Sequence, residues 1–249
     1  PLQRGQILLY KDIITKIMSE ILSSEKENLE KASDKIVDSL ANDKMIYVLG
    51  TGHSALVSME IFYRAGGLAR VYPILDPSIT LLSGAIKSSL IERLSGYADV
   101  LLSYYPVSRG DTLIIVSNSG KNAIPVEAAV TARDRGAHTI AITSIEYSKK
   151  LKPENRYGKR LYEVAEVVID NKVPEGDAVI KMRKLRSLRI APISTIVNAF
   201  IVQVLEILVI ERLIKRGLEP EIWISVNIPG GPEKNKTLTE KYFNIIKHL

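Results

Sequence analysis

Five short apolar runs constrain this chain more than any other feature: residues 44–49 (KMIYVL), 70–75 (RVYPIL), 112–116 (TLIIV), 138–143 (HTIAIT) and 166–170 (EVVID). Each is rich in β-branched residues, too short for a helix, and apolar at neighbouring positions rather than alternate ones. Such runs suit strands buried on both faces. Between them lie stretches with apolar residues at three and four spacing, over 54–65, 79–103 (punctuated by Gly84 and Gly96), 124–135 and, after the last run, 194–216. Strands alternating with helices predict an α/β fold, a parallel sheet covered on both faces. Pro73 places the second strand at an edge or a strand end.

Residues 7–41 read as two helical segments parted by Glu25-Lys26-Glu27, residues 146–160 as a polar loop, and residues 172–189 as an irregular excursion. Beyond Glu221 the chain reads as an irregular tail with a last short helix. There is no composition break and no internal repeat. The expectation is a single domain over 1–249, with an N-terminal helical extension of about 1–42 and a C-terminal tail of about 221–249.

Residues 196–214 resemble a membrane span but carry Asn198, Gln203, Glu206, Glu211 and Arg212. Charges at the centre of such a span cost about 2.5–3.5 kcal/mol each, so the helix is expected in a core or subunit interface. No secretory pattern is visible and Pro1 stands where Met would, so a trimmed start and a cytoplasmic location are expected. The absence of cysteine excludes disulfides and thiolate ligands or nucleophiles, and three histidines leave little for a histidine-rich metal site. A net charge of +6 fits a solvated surface or an anionic partner. The densest basic cluster, residues 181–189, is no nucleic-acid block. It reads as a solvated face or a flap over an anion, and a small anionic substrate is expected before nucleic acid.

Two strand-to-helix loops carry the chemistry. Gly50-Thr51-Gly52-His53-Ser54 lets backbone approach a ligand at a helix start, with Ser54 placed as N-cap. Its third dinucleotide position is Ala55 and the nearest acid for a ribose is Asp76, a weak match to a nicotinamide-type site. Ser117-Asn118-Ser119-Gly120-Lys121-Asn122 offers neutral donors, a tight approach at Gly120 and the charge of Lys121, all suited to phosphate. Read as turn chemistry alone, Ser119 caps the helix and Asn118 fills the turn.

GTGHS at 50–54 and SNSGKNAIPVEAA at 117–129 resemble the two ligand loops of the SIS (sugar isomerase) domain family, over about residues 30–215. EIFYRAGGLA (60–69), LDPSI (75–79), ERLSGYA (92–98), GKRLYEVAEVVIDN (158–171) and SVNIPGG (225–231) resemble a stand-alone branch of that family, usually called phosphosugar isomerase or phosphoheptose isomerase-like. The resemblance implies a three-layer sandwich with a five-stranded parallel sheet. It implies phosphate held by Ser117, Ser119 and Asn122 with Asn118 in contact, and a sugar facing Ser54 and the Gly50–Gly52 backbone. Phosphoheptose isomerases carry a glutamate base about ten residues beyond the loop serine; here that position is Arg64, one turn after Glu60.

The candidate bases are Glu60 and Glu92, both expected in mainly apolar surroundings that raise the pKa. The bland alternatives are ion pairs, Glu60 with Arg64 and Glu92 with Arg93 or near Lys87. His53 is a candidate acid or ring opener, and Arg64 an anion holder; His138 and His248 read as structural or exposed. Asp177 and Asn235, in irregular segments, are further candidates to approach the site, and Ser194-Thr195 either caps the long helix or contributes a hydroxyl there. The leading expectation is a phosphosugar isomerase needing neither metal nor cofactor and working as a homodimer or homotetramer, with no nucleic-acid or membrane partner. The alternatives are a phosphosugar lyase or etherase, and a non-catalytic sugar-phosphate sensor.

Overall fold

The computed structural model describes residues 4–186 and 188–249, so Pro1 and Ser187 of the basic run lie outside the described residues. Two helices, α1 (Arg4–Ser24) and α2 (Lys26–Ala41), meet at Glu25. Then follow β1 (Ile46–Gly50), α3 (Ala55–Glu60), β2 (Val71–Ile74), α4 (Ala85–Ile91), α5 (Tyr97–Tyr104), β3 (Thr112–Val116) and α6 (Ala123–Asp134). The chain continues through β4 (His138–Thr143), α7 (Ile145–Lys149), α8 (Leu161–Val164) and β5 (Val167–Asp170). An antiparallel pair, β6 (Ala178–Lys181) and β7 (Arg189–Pro192), precedes α9 (Ser194–Lys215) and α10 (Gly231–Tyr242).

The five expected strands form one parallel sheet in the order β2-β1-β3-β4-β5. Each central strand splits its side chains between two cores. Tyr47, Leu49, Leu113, Ile115 and Ala141 point into one, with residues of α5, α6 and α8. Ile46, Val48, Ile114, Val116, Ile140 and Ile142 point into the other, with residues of α2, α3 and α9. The result is a three-layer α/β sandwich, and it explains why the strands read as unbroken apolar runs.

Some local expectations need correcting. The helix expected over 54–65 stops at Glu60, because the chain turns through positive φ at Tyr63 and Gly66. The polar loop at 146–160 overlaps α7, whose first turn is capped by Ser144 accepting from the Tyr147 N–H at 3.4 Å. The excursion at 172–189 contains β6 of the hairpin, which is tied to α1 by Tyr10 Oη donating to the Pro192 carbonyl at 2.8 Å.

Pro73 does mark an edge strand: β2 is the first strand of the sheet. The tail runs against the segment leading into β2, with Gly66 N–H donating to Trp223 O (2.7 Å), Trp223 N–H to Gly67 O (2.9 Å) and Ala69 N–H to Glu221 O (2.8 Å). Trp223, Tyr242 and Ile246 then fill the α5/α6 core. At the far edge, Lys172 holds the buried carboxylates of Glu25 and Asp170, each at 2.9 Å, and so fixes the α1–α2 junction to the end of β5. Among the described residues no helix is long and apolar enough to cross a membrane. In α9, Asn198 and Glu206 are instead buried against protein.

Candidate functional site

The chain passes from β1 out to β2 on one side and from β3 out to β4 and β5 on the other, so the strand order reverses between β1 and β3. That reversal opens a crevice at the carboxyl ends of the strands. Gly50 lies directly opposite Val116 in the ladder, so the two polar loops leave adjacent strands at one level.

The first loop is set by glycine. A Cβ on Gly50 would fall 2.2 Å from the Ser54 carbonyl oxygen, and Gly52 has φ 55. The Gly52 N–H donates to the Ile79 carbonyl at 2.8 Å, joining this loop to the exit of β2. Ser54 does not cap α3 as expected: residues 52–54 form a single 3-10 turn running into the helix, and Ser54 is itself helical. Thr51 is buried, Ser54 is half-buried, and His53 is exposed with no hydrogen-bond partner among the described residues.

In the second loop, the Ser117 hydroxyl accepts from Gly120 N–H at 3.1 Å. Gly120 has φ 56, and a Cβ there would meet Thr143 Oγ1 at 2.9 Å and Leu161 Cβ at 3.2 Å. Its need for glycine therefore comes from packing under β4 and α8, not from a ligand. Ser119 is not the helix cap, because Asn122 occupies that position. Ser119 Oγ and the N–H groups of Ser119 and Lys121 have no partner among the described residues. Lys121 turns its ammonium to Glu154 at 2.5 Å, so its charge is committed to an ion pair beside the loop, against expectation.

Asn122 Nδ2 donates to Glu92 Oε1 at 2.6 Å, and the Glu92 carbonyl accepts the Ile124 N–H at 3.1 Å. Pro125, the third residue of α6, has no N–H and the Ile124 N–H goes to Glu92, so Asn122 makes no cap bond and its Oδ1 is buried without a partner among the described residues. Glu92 is thus drawn against the start of α6. Arg93 pairs with Glu154 instead, at 3.2 Å.

Glu60 sits at the far end of α3, paired with Arg64 at 2.7 Å and 3.3 Å from Gln203 Nε2. With Leu56, Met59, Thr195 and Ala199 this pair lines a cavity of about 360 Å³ between α3 and α9. Neither candidate base has the apolar surroundings expected of it: one faces a guanidinium, the other an amide. The carboxylate that burial does perturb is Glu206 on α9, pushed up to about 7 by desolvation and by nearby Glu60, against the opposing pull of the Leu68 N–H (2.8 Å) and Arg64.

Asp177 and Asn235 are structural here. Asp177 accepts from Ser194 N–H (2.7 Å) and Ser194 Oγ (2.6 Å) at the start of α9, and Asn235 brackets Ile224 within the tail. His138 faces Glu166 at 3.0 Å, and His248 faces Tyr105 at 2.9 Å.

Three supporting residues escaped the sequence reading because nothing local marks them. Glu127, fully buried on α6, accepts from Ser95 Oγ (2.8 Å) and Gly96 N–H (2.7 Å) and so fixes the turn after α4. Asn171, just beyond β5, and Asn198 on α9, both buried, reach the loop at Asn118. For Glu127 and Asn198 the only available signal was a charge or amide inside an otherwise apolar helical stripe.

A sequence model described as the SIS domain matches residues 9–144, more than half of the chain. The chain belongs to the SIS domain family. A UPF0309 protein of Listeria innocua is 38% identical to this SIS chain over 233 residues, covering 94% of each. A UPF0309 protein of Caldanaerobacter subterraneus subsp. tengcongensis is 40% identical over 243 residues, covering 97% of this chain and 99% of the other. Among solved structures, the phosphoheptose isomerase GmhA of Neisseria gonorrhoeae superposes with a TM-score of 0.52 at 18% identity, covering 82% of this chain and 97% of that one. The sugar isomerase domain of an RpiR transcription factor from Sphaerobacter thermophilus superposes with a TM-score of 0.50 at 14% identity, covering 96% and 98%. At such identities these two share the SIS fold.

Proposed function

We propose that this SIS chain binds a phosphosugar in the crevice between the β1 and β3 loops and isomerises it by cofactor-free enediol proton transfer. The observation that carries the reading is the pairing of Gly50 with Val116. It sets a loop with uncommitted Ser119 donors beside a glycine loop bearing an unpartnered imidazole, with Glu92 drawn to the same helix start. Phosphate is taken by Ser119, the Ser117 hydroxyl, the loop N–H groups and the Asn118 amide. The sugar lies toward Thr51, Gly52 and Ser54. Glu92 moves the proton between neighbouring carbons, and His53 at the crevice mouth serves the ring oxygen. Glu60 and Arg64, joined as an ion pair, shape the α3/α9 cavity. The phosphoheptose isomerases and sugar isomerase domain that share the fold support a phosphorylated sugar as ligand.

The test is a thermal-shift screen of sugar phosphates followed by NMR of solvent-deuterium incorporation. The wild type incorporates deuterium into product, Glu92→Gln binds without turnover, and Ser119→Ala weakens binding by about 1–3 kcal/mol. Equal stabilisation of wild type and Ser119→Ala by every sugar phosphate refutes the site. Arg64, standing where phosphoheptose isomerases carry a glutamate, favours a second reading as a sensor. Micromolar affinity without any exchange selects it.

We further propose a homodimer or homotetramer. The helix α1 buries only Ile21 and exposes Ile7, Leu8, Leu9 and Leu22, an apolar surface suited to a second copy. A monomeric mass by light scattering at micromolar concentration refutes it.

A further inference from the structure

We infer that Asn171 and Asn198 are positioning residues that turn the Asn118 amide so that its N–H₂ group, not its oxygen, faces the crevice. The inference rests on the phosphate-binding reading above and adds the device that gives the loop its polarity.

One group beside these amides has a role that cannot be exchanged. The backbone N–H of Val173 can only donate, and it donates to Asn171 Oδ1 at 3.1 Å. That contact settles which end of the Asn171 amide is oxygen, leaving Nδ2 on the opposite side. Nδ2 donates to Asn198 Oδ1 at 2.8 Å and to Asn118 Oδ1 at 2.7 Å. The Asn198 amide is fixed in turn, and its own Nδ2 donates to Asn118 Oδ1 at 3.2 Å. Orientation therefore passes from one backbone N–H through three side chains, each amide leaving the next a single choice.

Asn118 stands last in this relay. Its oxygen takes two N–H donors, and reversing the amide would press its own N–H₂ against both. Asn171 is fully buried and Asn198 nearly so, whereas Asn118 is half-exposed. The side of Asn118 turned from its two neighbours is thus the side turned to the crevice. It carries two N–H bonds with no partner among the described residues, between Ser117 and Ser119. Neutral donors there suit an acceptor-only oxyanion such as a phosphate dianion, and an amide oxygen in that place would repel it. The relay also ties the loop to α9, whose first turn begins four residues before Asn198.

The experiment is calorimetric titration with inorganic phosphate and fructose 6-phosphate at fixed salt, with thermal unfolding recorded for every variant. In Asn171→Asp, the new carboxylate still accepts from the Val173 N–H but offers only acceptors to Asn198 and Asn118, so both amides must reverse. Affinity falls roughly tenfold or more in an otherwise wild-type chain. In an Asn118→Ala background the same change has no further effect on affinity, because Asn171 acts only through Asn118. An affinity kept within about twofold in Asn171→Asp, or an equal loss in both backgrounds, overturns the inference. Should Asn171→Asp fail to fold, Asn118→Asp decides. Its carboxylate still takes both amide donors, so thermal stability is kept while an acceptor now faces the anion. Unchanged affinity there overturns the inference, and loss of affinity with unchanged stability supports it. Binding by the wild type that Ser119→Ala weakens, but neither aspartate variant does, sinks the inference and leaves the functional reading standing. A wild type that binds neither probe sinks both.

Discussion

Replacing Glu206 with glutamine is expected to stabilise this chain, and only on the alkaline side. Glu206 is buried on α9, with Oε1 accepting the Leu68 N–H at 2.8 Å and the carboxyl set against Gly67. Burial raises its pKa from the ordinary 4.5 to about 7, Glu60 adds to the rise, and the Leu68 N–H and Arg64 oppose it. A raised carboxyl pKa means that the folded chain holds a proton the unfolded chain has released. Stability is therefore undiminished below about pH 4.5, declines as pH rises toward 7, and levels off above it. At 1.36 kcal/mol for each pH unit, the gap between 4.5 and about 7 amounts to roughly 3 kcal/mol. Glutamine keeps the shape and the acceptor for Leu68, and removes the like charge near Glu60. Glu206→Gln should match the wild type near pH 4.5 and exceed it by up to about 3 kcal/mol at pH 8, a rise in Tm of roughly 6–12 °C for a chain of this size. Urea unfolding of both proteins at pH 4.5, 5.5, 6.5 and 8 gives the difference directly. A difference that is flat with pH, or that grows toward acid, refutes the reasoning.

Gly120→Ala combines a left-handed backbone with a Cβ at 2.9 Å from Thr143 Oγ1, and should cost about 2–4 kcal/mol in urea unfolding. Lys172→Met leaves Glu25 and Asp170 facing each other without their cation. Because Lys172 is about one-fifth exposed, a loss of roughly 2–3 kcal/mol is expected in urea unfolding. Arg70 is bound to Asp43 at 2.6 Å and to Glu221 at 2.9 Å, so Arg70→Ala should release the tail first. The fluorescence of Trp223, the lone tryptophan, then shifts to the red at a lower urea concentration than the loss of helical circular dichroism.

The sheet was legible because its signal is local: five β-branched runs, and a proline in the second that marks an edge. The two loops were legible for the same reason, as each strand ends abruptly on small polar residues. What escaped depended on contacts between distant segments. Lys121 reads as a phosphate ligand until Glu154, far along the chain, takes its ammonium. Glu92 reads as a base in apolar surroundings, or as a partner of Arg93, until Asn122 draws it to the start of α6. Glu60 and Glu206 are both acids on helices, and only the packing of α9 on the Gly66–Leu68 segment shows that the second is the perturbed one. Pro125 could have warned that α6 lacks its usual cap bond, since the third helical residue has no N–H to offer.

The docking of the tail on the β2 edge sets a problem of timing for a chain made from one end. Arg70 and its partner Glu221 are separated by 151 residues, so the strand leaves the ribosome long before its cover exists. At about 5–20 residues per second the interval is roughly 8–30 s, far longer than a hairpin or helix needs to form. During that window β2 presents an unguarded border to other nascent chains, with Pro73, which has no N–H to offer a pairing strand, as its built-in deterrent. Replacing Pro73 should therefore show itself first in the yield of soluble protein during synthesis, before any change in the stability of the finished fold.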